Sequence, residues 1–158
     1  MFNWFRKSNS PPDLNEANGD QAQWSLGKAK TEGGLLLIRR NQTAQALIGH
    51  PGLAIKLGFA IPFGIKTEGD LPDAEENAEV SQIEDQIIAC VAENTYGVHV
   101  LTLTNTTCKE LIFYIKAGAD IGSIHKRLMG AVTSHEVQCF AEHDRDWDLY
   151  RQFMPAVK

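Results

Sequence analysis

The sequence predicts an α+β fold in which two amphipathic helices cover one face of a mostly antiparallel sheet. Three patterns carry that reading. Residues 53–63 alternate with a two-residue period, Leu53, Ile55, Leu57, Phe59, Ile61 and Phe63 being separated by Ala54, Lys56, Gly58, Ala60 and Pro62, as in a strand with one buried face. Val80, Ile83, Ile87, Ile88 and Val91 recur at helical spacing, so a helix follows that strand. Ile121, Ile124, Leu128, Met129 and Val132 repeat the pattern, giving a second helix for the same face.

From the amino terminus, residues 8–20 are rich in Ser, Pro, Asn, Asp and Gly and read as a mobile linker. Residues 1–20 are therefore expected to be a flexible tail, and residues 21–158 a single domain. Residues 22–30 and 35–41 read as extended segments around Thr31-Glu32-Gly33-Gly34, whose glycines accept the positive φ of a tight turn. They form a β-hairpin. Pro62 lacks an N–H, which places the strand over 53–63 at an edge there or at its end. Asp73 with Glu76 and Ser81 with Glu84 both match a capping box, and the apolar periodicity favours a helix established by Ser81. Asn94 and Gly97 end it. Residues 98–104 and 109–116 then read as strands of a second hairpin around Asn105-Thr106-Thr107. Asp120 caps the second helix, which Gly122 and Gly130 weaken by roughly 1 kcal/mol each relative to alanine. Residues 136–141 complete the sheet, and residues 145–154 form a short helix or turn stopped by Pro155. From Leu53 the order is strand, helix, strand, strand, helix, strand, the ferredoxin-like split βαβ arrangement (βαββαβ). The amino-terminal hairpin either widens the sheet or covers its other side.

A length of 158 residues fits one domain, and 43% hydrophobic against 22% charged residues excludes wholesale disorder. The 15 basic and 20 acidic side chains leave a net charge of −5, which argues against nucleic acid as a partner. Cys90, Cys108 and Cys139 stand far apart without C-x-x-C spacing, so neither a disulfide framework nor a sulfur-rich zinc site is expected and a reducing cytoplasm fits. No stretch approaches the roughly 20 apolar residues of a membrane span, and the start lacks a signal-peptide run. Phe2, Trp4 and Phe5 beside Arg6 and Lys7 are too short a segment for stable interfacial anchoring. No membrane partner is expected.

Catalytic motifs are missing: there is no G-x-S-x-G elbow, and Gly33-Gly34 is not followed by the G-K-[ST] of a phosphate loop. His135, Cys139 and His143 fall at intervals of four, a set with zinc-ligand chemistry. Four residues of strand span about 13 Å, however, so the three are not expected to converge. Asp144 and Asp146 read as caps of the terminal helix, and Trp147, Tyr150 and Phe153 as a packing stripe. Glu84 and Asp85 suit the first turn of a helix capped by Ser81, where the dipole favours negative charge; a paired-carboxylate site is the minor reading. Arg39 and Arg40 with Lys28 and Lys30 read as a solvated strand face, with a small anionic pocket as the alternative.

Ile83-Glu84-Asp85 on a helix, Lys109-Glu110-Leu111-Ile112-Phe113-Tyr114 in a strand, and Asp144-Arg145-Asp146-Trp147-Asp148-Leu149-Tyr150 ahead of Pro155 together resemble the bacterial domain-of-unknown-function family 695. LLLIRRN, over residues 35–41, is similar to that family's early strand. The Asp-x-Asp-Trp ending also resembles that of the regulator of ribonuclease E activity B, an inhibitor that acts by binding. What these likenesses imply is an α+β binding module with no catalytic residues to transfer. The expected function is thus a non-enzymatic cytoplasmic interaction or regulatory domain whose partner is another protein, with a homodimer as a further arrangement. The alternative is a small-molecule-binding protein or enzyme whose pocket lies between sheet and amino-terminal hairpin, lined by Phe59, Phe113, Tyr114 and Trp147. Candidate interaction or ligand residues are Arg39, Glu84, Asp85, Tyr114, Asp144, Asp146, Trp147 and Tyr150. No cofactor and no metal are expected.

Overall fold

In the computed structural model, which describes residues 10–64 and 71–155, the chain opens with a short helix, α1 (Asn15–Asn18), followed by strands β1 (Trp24–Thr31) and β2 (Gly34–Asn41). These strands pair antiparallel from Trp24↔Asn41 to Thr31↔Gly34. Their turn needs φ 115° at Gly34, which a residue without Cβ adopts freely. A 3₁₀ turn (Thr43–Leu47) leads to β3 (Ile55–Pro62), α2 (Ala74–Asn94), β4 (Gly97–Thr104), β5 (Cys108–Ile115), α3 (Ile121–Ala131), β6 (Gln138–His143) and α4 (Asp148–Gln152). All six strands form one sheet in the order β1-β2-β4-β5-β3-β6, every neighbouring pair antiparallel. The amino-terminal hairpin widens the sheet, joining it through β2 and β4 from Leu37↔Thr104 to Arg40↔Leu101.

The two-residue period of β3 and β5 sends Leu57, Phe59, Ile61, Leu111, Phe113 and Ile115 to one face, where Val80, Ile83, Ile87 and Val91 of α2 and Ile124 and Leu128 of α3 bury them. Each such side chain contributes roughly 1.5–3 kcal/mol by leaving water. The opposite face holds a second core in which Val98, Val100, Leu101, Ile112 and Tyr114 are covered by Leu14, Ala17, Ala44, Leu53, Trp147 and Tyr150. Leu53, expected to share a face with Ile55 and Leu57, belongs to this second core because β3 begins only at Ile55.

A bulge in β4 aligns the two faces. His99 lies opposite Phe113 while Leu101 lies opposite Ile112, so Val100 is the extra residue. Val100 and Leu101 therefore both enter the second core, and Thr102 returns to the face of His99. Such insertions re-aim every side chain that follows them.

Four expectations change. The linker proposed for residues 8–20 contains α1, because Leu14 (7% exposed) and Ala17 (5%) find apolar seats under β4. Residues 1–9, with the aromatic start, and residues 65–70, between the strand and the helix, lie outside the described residues. α2 starts at Ala74 rather than near Ser81, since the Asp73 side chain accepts from Glu76 N at 2.9 Å; Glu84 and Asp85 are consequently mid-helix. Met129, expected on the buried stripe of α3, is 52% exposed, while Ile124 and Leu128 are buried in the core and Ile121 packs against it part-buried. The terminal helix is shorter than expected, Asp148–Gln152. Pro62 does end β3: Phe63 N donates to Thr107 O on the β5 side, so the missing Pro62 donor faces the β6 side, where pairing already stops at Ala60↔Gln138.

Candidate functional site

Between α2 and the strands β1, β2 and β4 runs a groove whose floor is a chain of polar side chains. Glu84, buried at mid-helix, points its carboxylate at the sheet. Its Oε1 meets Lys109 Nζ at 3.3 Å, and its Oε2 meets Arg39 Nη1 at 3.4 Å. Thr102 Oγ1 donates to Glu84 Oε2 at 2.9 Å and lies 2.9 Å from His99 Nε2, which is also 3.1 Å from Leu101 O. Because a carboxylate only accepts, the single hydroxyl proton of Thr102 goes to Glu84. His99 must then donate from Nε2 to Thr102 and Leu101. Burial lowers its pKa to about 4, outweighing the opposing pull of Glu84, so the ring is neutral near pH 7. It sits 4.9 Å from the rings of both Trp24 and Phe113, and the Arg39 guanidinium lies 5.1 Å from the Trp24 ring centre.

Arg39 and Glu84 divide the groove into two cavities. One, of about 350 Å³, is lined by Trp24, Asp85, Ile88 and His99 among others. The second, of about 440 Å³, is lined by Leu26, Lys28, Leu37, Ser81, Thr104 and Lys109 among others. Arg39 and Glu84 contribute to both. The Lys109 side chain is 8% exposed and that of Arg39 is 43% exposed, so the floor is dry while one cation reaches solvent.

The candidate residues from the sequence separate into two groups. Arg39, Glu84 and Asp85 come together in this groove. Tyr114, Asp144, Trp147 and Tyr150 come together on the other face of the sheet, all buried. There Tyr114 and Trp147 stack at 4.2 Å with planes 7° apart, and Tyr150 meets Trp147 edge-on at 5.5 Å. Tyr114 Oη donates to Asp144 Oδ2 at 2.7 Å, and the N–H groups of Asp148 and Leu149 donate to the same carboxylate at 2.8 and 3.2 Å. Burial works to raise the Asp144 pKa, but these hydrogen bonds outweigh it and hold the carboxyl below the usual range. Burial and the neighbouring Asp144 push the Tyr114 phenol up, so it stays a donor. Asp144 thus serves the terminal helix as the sequence suggested. Asp146 does not: it is exposed, and its backbone carbonyl accepts from Arg151 Nε at 2.7 Å. Trp147 adopts the left-handed φ of 59°, a conformation costing a side-chain-bearing residue roughly 1–2 kcal/mol that its buried ring and its Nε1 bond to Leu53 O at 2.9 Å offset.

Arg40, expected on a solvated face beside Arg39, points into the second core, with Nη1 3.2 Å from Tyr150 Oη. Of the pocket lining expected from sequence, Phe113 alone touches the groove; Phe59 lies in the helix-covered core, and Tyr114 and Trp147 lie across the sheet. His135, Cys139 and His143 do not converge. Cys139 and His143 stand opposite Phe59 and Ile55 within β6, whereas His135 contacts Glu76, which also accepts from Gly64 N at 3.1 Å. Glu79 brings a third potential ligand atom within 4.8 Å of these two, and Glu76 and His135 already hydrogen-bond each other.

Trp24, His99, Thr102 and Lys109 are the groove residues that sequence reasoning missed. Lys109 had a signal: it shares the two-residue period of Leu111, Phe113 and Ile115, which places a lysine on the buried face. His99 and Thr102 had none, because their shared face depends on the bulge. A family model described as a family of unknown function, DUF695, matches residues 22–154. No curated protein and no solved structure matches the chain.

Proposed function

We infer that this chain, which belongs to the DUF695 family of unknown function, is a non-enzymatic binding domain that takes a small ligand into the groove between α2 and the amino-terminal hairpin. One observation carries the reading: two cavities of about 350 and 440 Å³ meet over the ion-paired Arg39 and Glu84, a size typical of small-molecule sites at roughly 300–1,000 Å³. Binding is favoured over chemistry because the titratable groups of the floor already hold one another. Glu84 is engaged by three donors, and His99 is neutral with Nε2 committed. Burial raises the pKa of Cys90, Cys108 and Cys139, which disfavours the thiolate a nucleophile needs.

A small ligand is favoured over a protein partner because Leu26, Met129 and Phe140, the large exposed apolar side chains among the described residues, stand on three different elements. They do not make the contiguous patch that a stable interface uses. The order β4-β5-β3-β6 with α2 and α3 on one face supports the ferredoxin-like split βαβ arrangement, widened by the hairpin. Asp144 and Trp147, which carry the likeness to the regulator of ribonuclease E activity B, are buried, so that likeness argues for shared packing and leaves recognition to the groove. Three free, partly buried cysteines support a reducing cytoplasm.

The test is a fragment screen on the whole chain read by amide chemical shifts. Hits are expected to move Trp24, Leu26, Arg39 and Asp85. Hits confined to β6 or α3, or catalytic turnover of a bound compound, overturn the reading.

A further inference from the structure

We propose that the ligand of this groove is a carboxylate carrying an apolar body; the inference rests on the groove being the binding site and assigns the chemistry of what it holds. The argument is charge complementarity. Three cations, Lys28, Arg39 and Lys109, line the larger cavity against one carboxylate, Glu84, on a chain whose net charge is −5. Glu84 is shared by two of those cations, Arg39 and Lys109, and His99 beneath it contributes no charge. One negative group therefore balances only part of the positive field, and a cationic ligand would meet like charge on both the strand and the floor. An anion completes the set.

The kind of anion follows from the walls. Leu26, 80% exposed, and Leu37 face the same cavity as the cations, so the ligand presents hydrocarbon to the hairpin and its head group to the floor. A guanidinium reads a carboxylate through two parallel N–H donors. Arg39 has five such donors by its chemistry, spends one on Glu84 at 3.4 Å, and keeps 43% of its side chain open to solvent. Lys109 lies dry below it, 8% exposed, where reduced dielectric strengthens its attraction for a carboxylate entering above.

The experiment titrates the whole chain with octanoate, octanol and octylamine, following Trp24 fluorescence and the amide shifts of Leu26, Lys28 and Arg39. Octanoate is expected to saturate at the groove about 10-fold more tightly than either uncharged or cationic analogue, the loss of one charge-assisted contact. Arg39→Ala is expected to weaken octanoate about 10-fold and leave octanol unchanged. Lys28→Ala, at an exposed strand position, gives a second variant without risk to folding and a smaller loss. Octanol or octylamine binding the groove as well as octanoate, or octanoate indifferent to Arg39→Ala, overturns the carboxylate assignment while the groove reading stands. No saturable shift at the groove with any of the three probes overturns both.

Discussion

The two faces of the sheet carry polar clusters built from the same ingredients, and they differ in closure. Each has an acid on a strand-facing helix or turn, an arginine, closely packed rings and a hydroxyl. On the second face, Asp144, Tyr114, Trp147, Tyr150 and Arg40 are all buried, and bonds such as Tyr150 Oη to Asn41 O at 2.6 Å and Tyr114 Oη to Asp144 Oδ2 at 2.7 Å join parts of the chain far apart in sequence. On the first face, the network of Glu84, Thr102, His99 and Lys109 is as dry, but Arg39 rises out of it into open cavities. Closed networks rigidify and specify a fold; a network with one solvent-facing cation has capacity left for something else. The comparison teaches that aromatic and acidic density in a sequence marks packing as readily as recognition.

That contrast breaks first at its most closed point. Trp147→Ala removes a fully buried, stacked and hydrogen-bonded ring and is expected to cost about 3–5 kcal/mol in denaturant unfolding. A smaller loss would mean that the second core can collapse around the gap. Next, folded His99 refuses a proton that the unfolded chain accepts between pH 6.5 and about 4. The unfolded state binds more protons in that window, so stability rises with pH across it and is lost as pH falls, by up to roughly 3 kcal/mol. The charged groups facing the ring are Glu84, Arg39 and Lys109. Urea melts at stepped pH should show this slope, and His99→Gln should flatten it.

Tyr114→Phe deletes the donor to Asp144 while keeping the stack, for an expected loss of about 1.5–3 kcal/mol by thermal or chemical melts. Arg39→Ala should sharpen the comparison by doing the reverse of Trp147→Ala. Its half-exposed ion pair contributes about 0–1 kcal/mol to stability, whereas ligand affinity changes about 10-fold. Asp148→Ala, at an exposed position, is expected to stay within about 0.5 kcal/mol.

Much of the architecture was legible because its periodicities are local. The alternation of residues 55–61, the Ile83-Ile87-Val91 spacing and the Asp120 cap each declare an element within a few residues. The start of α2 was hidden because its first turns, Ala74-Glu75-Glu76-Asn77, carry no apolar stripe, and their stability comes from the Asp73 cap and from Glu76 reaching Gly64 and His135. α1 was hidden because two small apolar contacts, Leu14 and Ala17, decide its order. Of the site, Arg39, Glu84 and Asp85 were singled out from sequence, but their meeting required β2 to lie beside β4, a long-range pairing that no local pattern encodes. Trp147 and Tyr150 were legible as a packing stripe from their spacing and are fully buried, but which core they join was not, because Leu14, Ala17 and Ala44 of distant segments share that core with them.

Val100 adds one last consequence. Deleting that single residue would leave His99 opposite Phe113 and Leu101 opposite Ile112 in an unbroken ladder, so Thr102 and Thr104 would keep their side of the sheet. Keeping Val100 but forcing it into regular pairing would do the reverse, turning Leu101 and Leu103 beneath α2 so that Glu84 would face leucines. A one-codon gap at this point therefore spares the groove and costs the second core one buried valine, whereas losing the bulge with every residue in place would carry the Thr102 hydroxyl away from Glu84.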